Sequence, residues 1–194
     1  MPTRRLQVIP IWLETERFVL RTLRADDATE TFLGWLADPE VMAPLNRQPS
    51  RLSAERLART IVACDGINSH QIGIFERGTG RHIGNYAIEV DRGDWTATFN
   101  VMIGDKAYWG KKVVLETRAA LLDHFFAERF IEKAIGLPPA RNIPSVYNYK
   151  AQGWRLEGVL KGQLKSQLGE GRLDQYQFAL LKDEWQAKRG STPS

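Results

Sequence analysis

The chain has one cysteine in 194 residues, Cys64, which excludes an internal disulfide and any cysteine-rich zinc site. Its three histidines, His70, His82 and His124, are too scattered to suggest a metal cluster, so no metal site is expected. No apolar run approaches the ~18 residues that mark a membrane span. The basic start, Met1 to Arg5, lacks the apolar stretch and cleavage site of a secretory signal. No internal repeat, low-complexity tract or linker divides the chain. Nor is there a basic stripe with interleaved aromatics, so nucleic acid is not an expected partner. What remains is ordinary: 43% hydrophobic and 26% charged residues, enough to bury the core of one globular domain. A soluble protein of a reducing cytoplasm, with no membrane partner, fits this composition. The net charge of +4 favours an acidic ligand.

The pattern along the chain alternates helix and strand. Residues 1–12 read as a loose leader. Arg17 to Arg21 alternates polar and apolar, as a strand does. Asp27 with Glu30 resembles an N-cap and its capping partner, followed by Phe32, Leu33, Trp35 and Leu36 at helical spacing, and Asp38-Pro39 stops that helix. Ser53 caps a second helix carrying Leu57, Ile61 and Val62. Gln71–Glu76 and His82–Asp91 read as a hairpin, and Thr96–Ile103 as the next strand. The longest helical pattern runs from Lys112 to Arg129, with Val113, Leu115, Ala119, Leu122, Phe125 and Phe126 on one face. A strand over Phe130–Ile135, a short helix over Ile143–Ala151 and two strands near 154–162 and 173–181 complete the order. This predicts a single-domain α/β (α+β) fold, a mixed but mostly antiparallel sheet flanked by helices.

Several segments carry a resemblance. Leu13 to Arg21 reads LETERFVLR, Asp38 to Val41 reads DPEV, and Ile103 to Lys111 reads IGDKAYWGK. Asn142-x-x-Ser145 is followed by Gly153-Trp154-Arg155-Leu156-Glu157-Gly158, and Leu180 to Trp185 reads LLKDEW. In this order the chain resembles the GNAT superfamily of acyl-CoA-dependent N-acyltransferases, closest in look to its RimJ/RimL-type branch. The resemblance covers residues 13–185 as the acetyltransferase domain and leaves 186–194 as a tail. It implies acetyl transfer from acetyl-CoA to a primary amine, by direct attack in a ternary complex. The branch suggests a protein N-terminus as acceptor, and the segment Asp27 to Val41 also looks like members that acetylate amino sugars. A homodimer is a base-rate expectation.

A pyrophosphate needs free backbone N–H groups at the front of a helix, and the loop feeding the Lys112 helix is the place for it. In the branch it resembles, that loop often reads WGKGYGTE. Here Trp109 to Glu116 reads WGKKVVLE, so Gly110 is kept while Lys112 and Val114 replace small residues. The expected cofactor contacts are Gly110, Lys111, Lys112, Val113 and Val114, with Val101, Met102 and Ile103 pairing their backbones with the pantetheine arm. Asn100 stands where a bulge glycine is common. Bulk at Lys112 and Val114 leaves an alternative open, a degenerate binding module of the same fold with weak or no acyl-CoA binding.

Amide formation needs an unprotonated amine, a polarised thioester and a proton for the leaving thiolate. The resemblance implies Tyr149 as the proton donor, with Tyr147 as competitor and packing against the sheet as its structural alternative. Asn142 is expected to contact the pantetheine or the attacking amine, to N-cap the short helix, or both, since the two are compatible. Ser145 is expected to touch the cofactor phosphates or face solvent. No carboxylate occupies the position of Thr98, where relatives often carry a base, so Glu89, with Asp91 as its alternative, is the candidate acting through water. Trp35, Asn46, Arg47 and Arg51 fall in the expected acceptor region, the arginines either holding an acidic acceptor group or facing solvent.

Overall fold

The computed structural model describes residues 9–190. Of the expected leader, residues 1–8 lie outside the described residues, as do 191–194 at the other end. Ile11 is buried in the core, and the last strand runs straight into a helix ending at Gly190.

The strands are β1 (Trp12–Glu14), β2 (Phe18–Thr22), β3 (Ser69–Glu76), β4 (His82–Asp91), β5 (Thr96–Ile103), β6 (Lys133–Gly136), β7 (Arg155–Lys165) and β8 (Arg172–Leu181). The helices are α1 (Glu30–Ala37), α2 (Pro39–Met42), α3 (Ala54–Val62), α4 (Val113–Glu128), α5 (Ile143–Ala151) and α6 (Lys182–Gly190). One eight-stranded sheet has the order β1-β2-β3-β4-β5-β6-β8-β7. All neighbours are antiparallel except β5 and β6, which are parallel and joined through α4. That crossover is required, because parallel neighbours cannot be joined by a tight turn.

Strand alternation sorts the side chains onto two faces. On the first, Ile72, Ile74, Tyr86, Ile88, Ala97 and Phe99 form one core with α4 and α5. The buried positions of α4 come as doublets four residues apart: Val113-Val114, Thr117-Arg118, Leu121-Leu122 and Phe125-Phe126. Leu115 and Ala119, expected on the buried face, lie beside it and are only partly covered. Each fully buried leucine or phenylalanine contributes about 2 kcal/mol of transfer free energy. On the second face, Phe32, Trp35, Val41, Met42, Leu57 and Ile61 of α1–α3 pack on Leu23 and Phe75. Met102 of β5 packs at the edge of that cluster.

Some local expectations change. Thr29, not Asp27, caps α1, accepting from the Phe32 N–H. Asp27 lies in a preceding 3-10 turn, where its carboxylate accepts from both guanidinium nitrogens of Arg21 (2.7 and 2.6 Å) and from the Arg24 N–H. Burial alone would raise its pKa, but these donors outweigh it and hold the group below the ordinary range. Asp38 both ends α1 and caps the short α2. β6 starts at Lys133 rather than Phe130, because Phe130 has a positive φ of 60° that turns the chain out of α4 before it can pair.

Two histidines pack against aromatic rings, His70 buried and His82 partly buried. His70 packs edge-on against Phe125, its Nε2 without a hydrogen-bond partner among the described residues. His82 stacks on Phe75 inside a cage completed by Phe32 and Trp35, its Nε2 3.0 Å from the Gly84 carbonyl. Burial pushes both down to about 4. A depressed histidine stays neutral in the fold while the unfolded chain takes up a proton below its ordinary pKa of about 6.5. Stability is therefore present in full above that value and lost as pH falls toward 4. Between pH ~7 and ~5 each ring withdraws about 2 kcal/mol. Denaturant titrations at the two pH values check this: His70→Leu should remove about half of the combined loss, and an unchanged pH slope would show that His70 is not held neutral.

Candidate active site

The parallel pair β5–β6 is short. Its register is Thr96↔Lys133, Ala97↔Ala134 and Thr98↔Ile135, and there it stops. Beyond that point β5 stays with β4 as far as Ile103↔Gly84. The chain after β6 stays with β8 instead: the Tyr176 N–H donates to Pro138, and Pro139 bridges Gln175. The sheet thus forks, with Phe99–Ile103 as one arm and Gly136–Pro139 as the other. The Gly104 N–H bonds to the Ile83 carbonyl, so in the antiparallel alternation Phe99, Val101 and Ile103 aim their backbone groups away from β4, into the fork.

Two of the three carbonyls on that arm are occupied by side chains. The Tyr149 hydroxyl donates to Phe99 at 3.1 Å, and the Trp109 indole N–H donates to Ile103 at 2.8 Å. Val101 lies between them. Of the expected strand contacts, Val101 presents its backbone to the fork. Met102 is turned to Asn85 on β4, and Ile103 keeps only its N–H.

At the open end of the fork the chain passes through Gly110 and Lys112 into α4. Gly110 has a φ of 73° with open space where a Cβ would stand. Lys112, the N-cap, has a φ of 57° and gives no side-chain cap. Leu115 and Glu116 both bond to its carbonyl, while the amides before them, at Val113 and Val114, belong to the helix end that has no intrahelical acceptor. Val113 and Val114 are both buried, 2% and 8% exposed. Lys111 and Lys112 are exposed beside it. Arg17 donates to the Lys111 carbonyl and pairs with Glu116 at 2.7 Å, tying the loop to β2. The result is a positive, uncapped helix end at the fork's mouth, suited to a phosphorylated ligand.

The apex is closed by Tyr149, stacked on Phe178 and edge-on to Trp154. Its ring passes so close to Gly136 that any Cβ there would collide with it. Arg118 lies over the ring, 4.2 Å from its centroid. This arginine, missed in the sequence, is 1% exposed. It donates to Gln152 (2.5 Å) and to the Asn148 carbonyl (2.8 Å), and among the described residues it has no carboxylate partner. Burial pushes the Tyr149 phenol up, with Arg118 opposing it. The signal was there as a Thr117-Arg118 doublet filling one step of the apolar doublets of α4, but an arginine does not read as core.

Asn142 is the α5 N-cap, accepting from the Ser145 N–H, and it also donates to the Pro44 carbonyl at 3.1 Å. Ser145 is half-buried in the first turn. On the second face, Glu89 is exposed and pairs across β4–β5 with Thr98, the last residue before the fork. Asp91 instead staples the β4–β5 turn through the Gly93 and Asp94 N–H groups. Trp35 belongs to the core, and Tyr147 faces solvent at 64% exposure. Among the described residues no cluster of histidine, cysteine, aspartate or glutamate can hold a metal.

The family model described as an acetyltransferase (GNAT) domain matches residues 17–155. The chain belongs to the GNAT acetyltransferase family. Solved structures with the same GNAT fold include an acetyltransferase from Bacillus anthracis (TM-score 0.77, 21% identity, 90% of this chain and 100% of that one). Others are a spermidine N-acetyltransferase from Vibrio cholerae in complex with CoA and spermine (0.77, 17%, 87% and 98%) and a ribosomal-protein-S5-alanine acetyltransferase from Vibrio fischeri (0.75, 17%, 90% and 98%). No curated protein sequence matches this GNAT chain at a significant level.

The Lys112 backbone explains the small residue usual at this loop position of the family. A left-handed conformation costs a non-glycine residue about 1 kcal/mol. Lys112→Gly should accordingly leave the fold as stable or raise it by up to about 1 kcal/mol in denaturant titration. A clear loss would mean that the lysine side chain stabilises the turn.

Proposed function

We propose that the chain is an N-acetyltransferase that moves an acetyl group from acetyl-CoA to a primary amine by direct attack within a ternary complex. The observation that carries this is the sheet fork opening beside the uncapped front of α4. Gly110, Lys111, Lys112, Val113 and Val114 would receive the pyrophosphate through their amides and the two lysine charges. Val101 would pair with the pantetheine amides as an added strand. When bound, acetyl-CoA supplies the activated acyl group.

The residues then divide the proton work. Glu89, on the second face beside Thr98, accepts a proton from the incoming amine through water. The amine nitrogen forms the new bond to the acyl carbon, the carbon–sulfur bond breaks, and the thiolate takes a proton. Tyr149 is the protonated group at the apex and is assigned that donation. Its phenol stays protonated at neutral pH, and Arg118 over the ring favours the phenolate that donation leaves. Asn142 holds the α5 end of the cleft rather than the reacting atoms. We place the protein nearest the RimJ/RimL-type branch on its sequence motifs, with a cytoplasmic location. No helix of the described residues is long and apolar enough to cross a membrane.

Calorimetry should give acetyl-CoA a Kd on the order of micromolar, weakening as salt rises. No heat at millimolar ligand would leave only a binding module of this fold. Tyr149→Phe should lower kcat about 100-fold with little change in acetyl-CoA affinity, and undiminished turnover would restrict Tyr149 to packing.

A further inference from the structure

The second face of the fork is roofed by one segment of chain. Met42 packs in the cluster that includes Met102 on the β5 arm. A few residues later the same segment reaches the β6 arm, where the Pro44 carbonyl accepts from Asn142. Asn46 sits at the end of this roof with a left-handed φ of 54° and only 7% exposure. Its side-chain amide joins three segments. Its Oδ1 accepts from Arg141 Nη2 and from the Gln167 N–H, both at 3.1 Å, and its Nδ2 donates to the Lys165 carbonyl at 2.9 Å.

The charge balance at this rim is one-sided. Arg141 is held by an amide, which fixes the guanidinium without neutralising it. Arg47 follows Asn46 directly, and both arginines are exposed. Among the described residues no carboxylate lies within ion-pair distance of Arg47, Arg51 or Arg141; the exposed Glu170 of the β7–β8 hairpin tip pairs with none of them. The carboxylates of the roof itself are occupied elsewhere, since Asp38 and Glu40 both bind Lys106, at 2.8 and 2.5 Å. A polycationic amine would meet uncompensated positive charge here. The cofactor phosphates are not the target either, because the α4 front lies on the opposite face.

We propose that the acceptor is a primary amine whose own molecule carries a carboxylate or phosphate, held at the mouth of the fork by Arg141 and Arg47. This rests on the transferase reading above. The fork then orients the acceptor, its anionic end on the arginine rim and its amine toward Glu89 and the apex. Planar guanidinium groups suit either anion, since both offer paired oxygens.

The test measures thiol release from acetyl-CoA with phosphoethanolamine against ethanolamine, aspartate against its diamide, and spermidine. Each anionic member should exceed its neutral counterpart at least tenfold in kcat/KM, and spermidine should be the poorest. That ratio should shrink with added salt. Arg141→Gln and Arg47→Gln should each cut it at least threefold through KM, and using both guards against one variant failing to fold. Preference for spermidine or for the neutral amines, no turnover of any anionic amine, or ratios unmoved in both variants would overturn the proposal. Calorimetry with acetyl-CoA separates the two levels. Binding without anionic preference removes this inference alone, whereas absence of binding removes the transferase reading beneath it.

Discussion

The backbone of β5 beyond Thr98 loses its neighbour, and the rest of the site follows from that loss. A strand stripped of its partner in a protein interior must satisfy its polar groups in another way. Tyr149 serves the Phe99 carbonyl and Trp109 the Ile103 carbonyl, one at the apex and one at the mouth. Between them, Val101 is left with its backbone facing the opening. The fork persists because each arm has a reason to stay apart: β5 is bound to β4 along its whole length, and Leu137–Pro139 is bound to β8.

Arg118 stabilises the apex in a way that apolar packing alone would not. A fully buried guanidinium without a carboxylate is costly unless hydrogen bonds and aromatic faces replace water. Gln152, the Asn148 carbonyl and the rings of Tyr149 and Trp154 supply that replacement. Gln152 also donates to the Leu115 carbonyl and accepts from the Trp154 indole, so α4, α5 and the start of β7 are locked as one unit. The same unit sets the position of Tyr149. In the proposed mechanism stability and chemistry would share Arg118, whose side chain is among the least exposed of the described residues.

The α4 front and the arginine rim are both positive but built differently. On the α4 side the positive character comes from backbone amides at a helix front, reinforced by two exposed lysines. On the roofed side it comes from Arg141, fixed by the Asn46 amide rather than by an acid, with the exposed Arg47 beside it. An amide partner preserves net charge, whereas the carboxylates that Lys106 binds cancel its own.

The sequence by itself determined the element order, the bounds of β4, β5 and α5, the Ser53 cap, and the loop at which α4 begins. These features rest on local signals, such as periodicity, caps and turn residues, that neighbours in the chain carry without help. The family followed from short motifs in order along most of the chain. The tertiary structure alone decided which of those residues meet. The fork arises because one strand follows β4 and its neighbour follows β8, a competition between partners far apart in sequence. Arg118 reads as a solvated residue until Tyr149, Trp154 and Gln152 close around it, and Asp27 reads as a helix cap until Arg21 claims it. Val114 looks like an exposed obstruction on paper, but in the fold it is buried. Local sequence fixes what each segment can be. Long-range packing and pairing, absent from any short window, fix which groups end up facing a ligand.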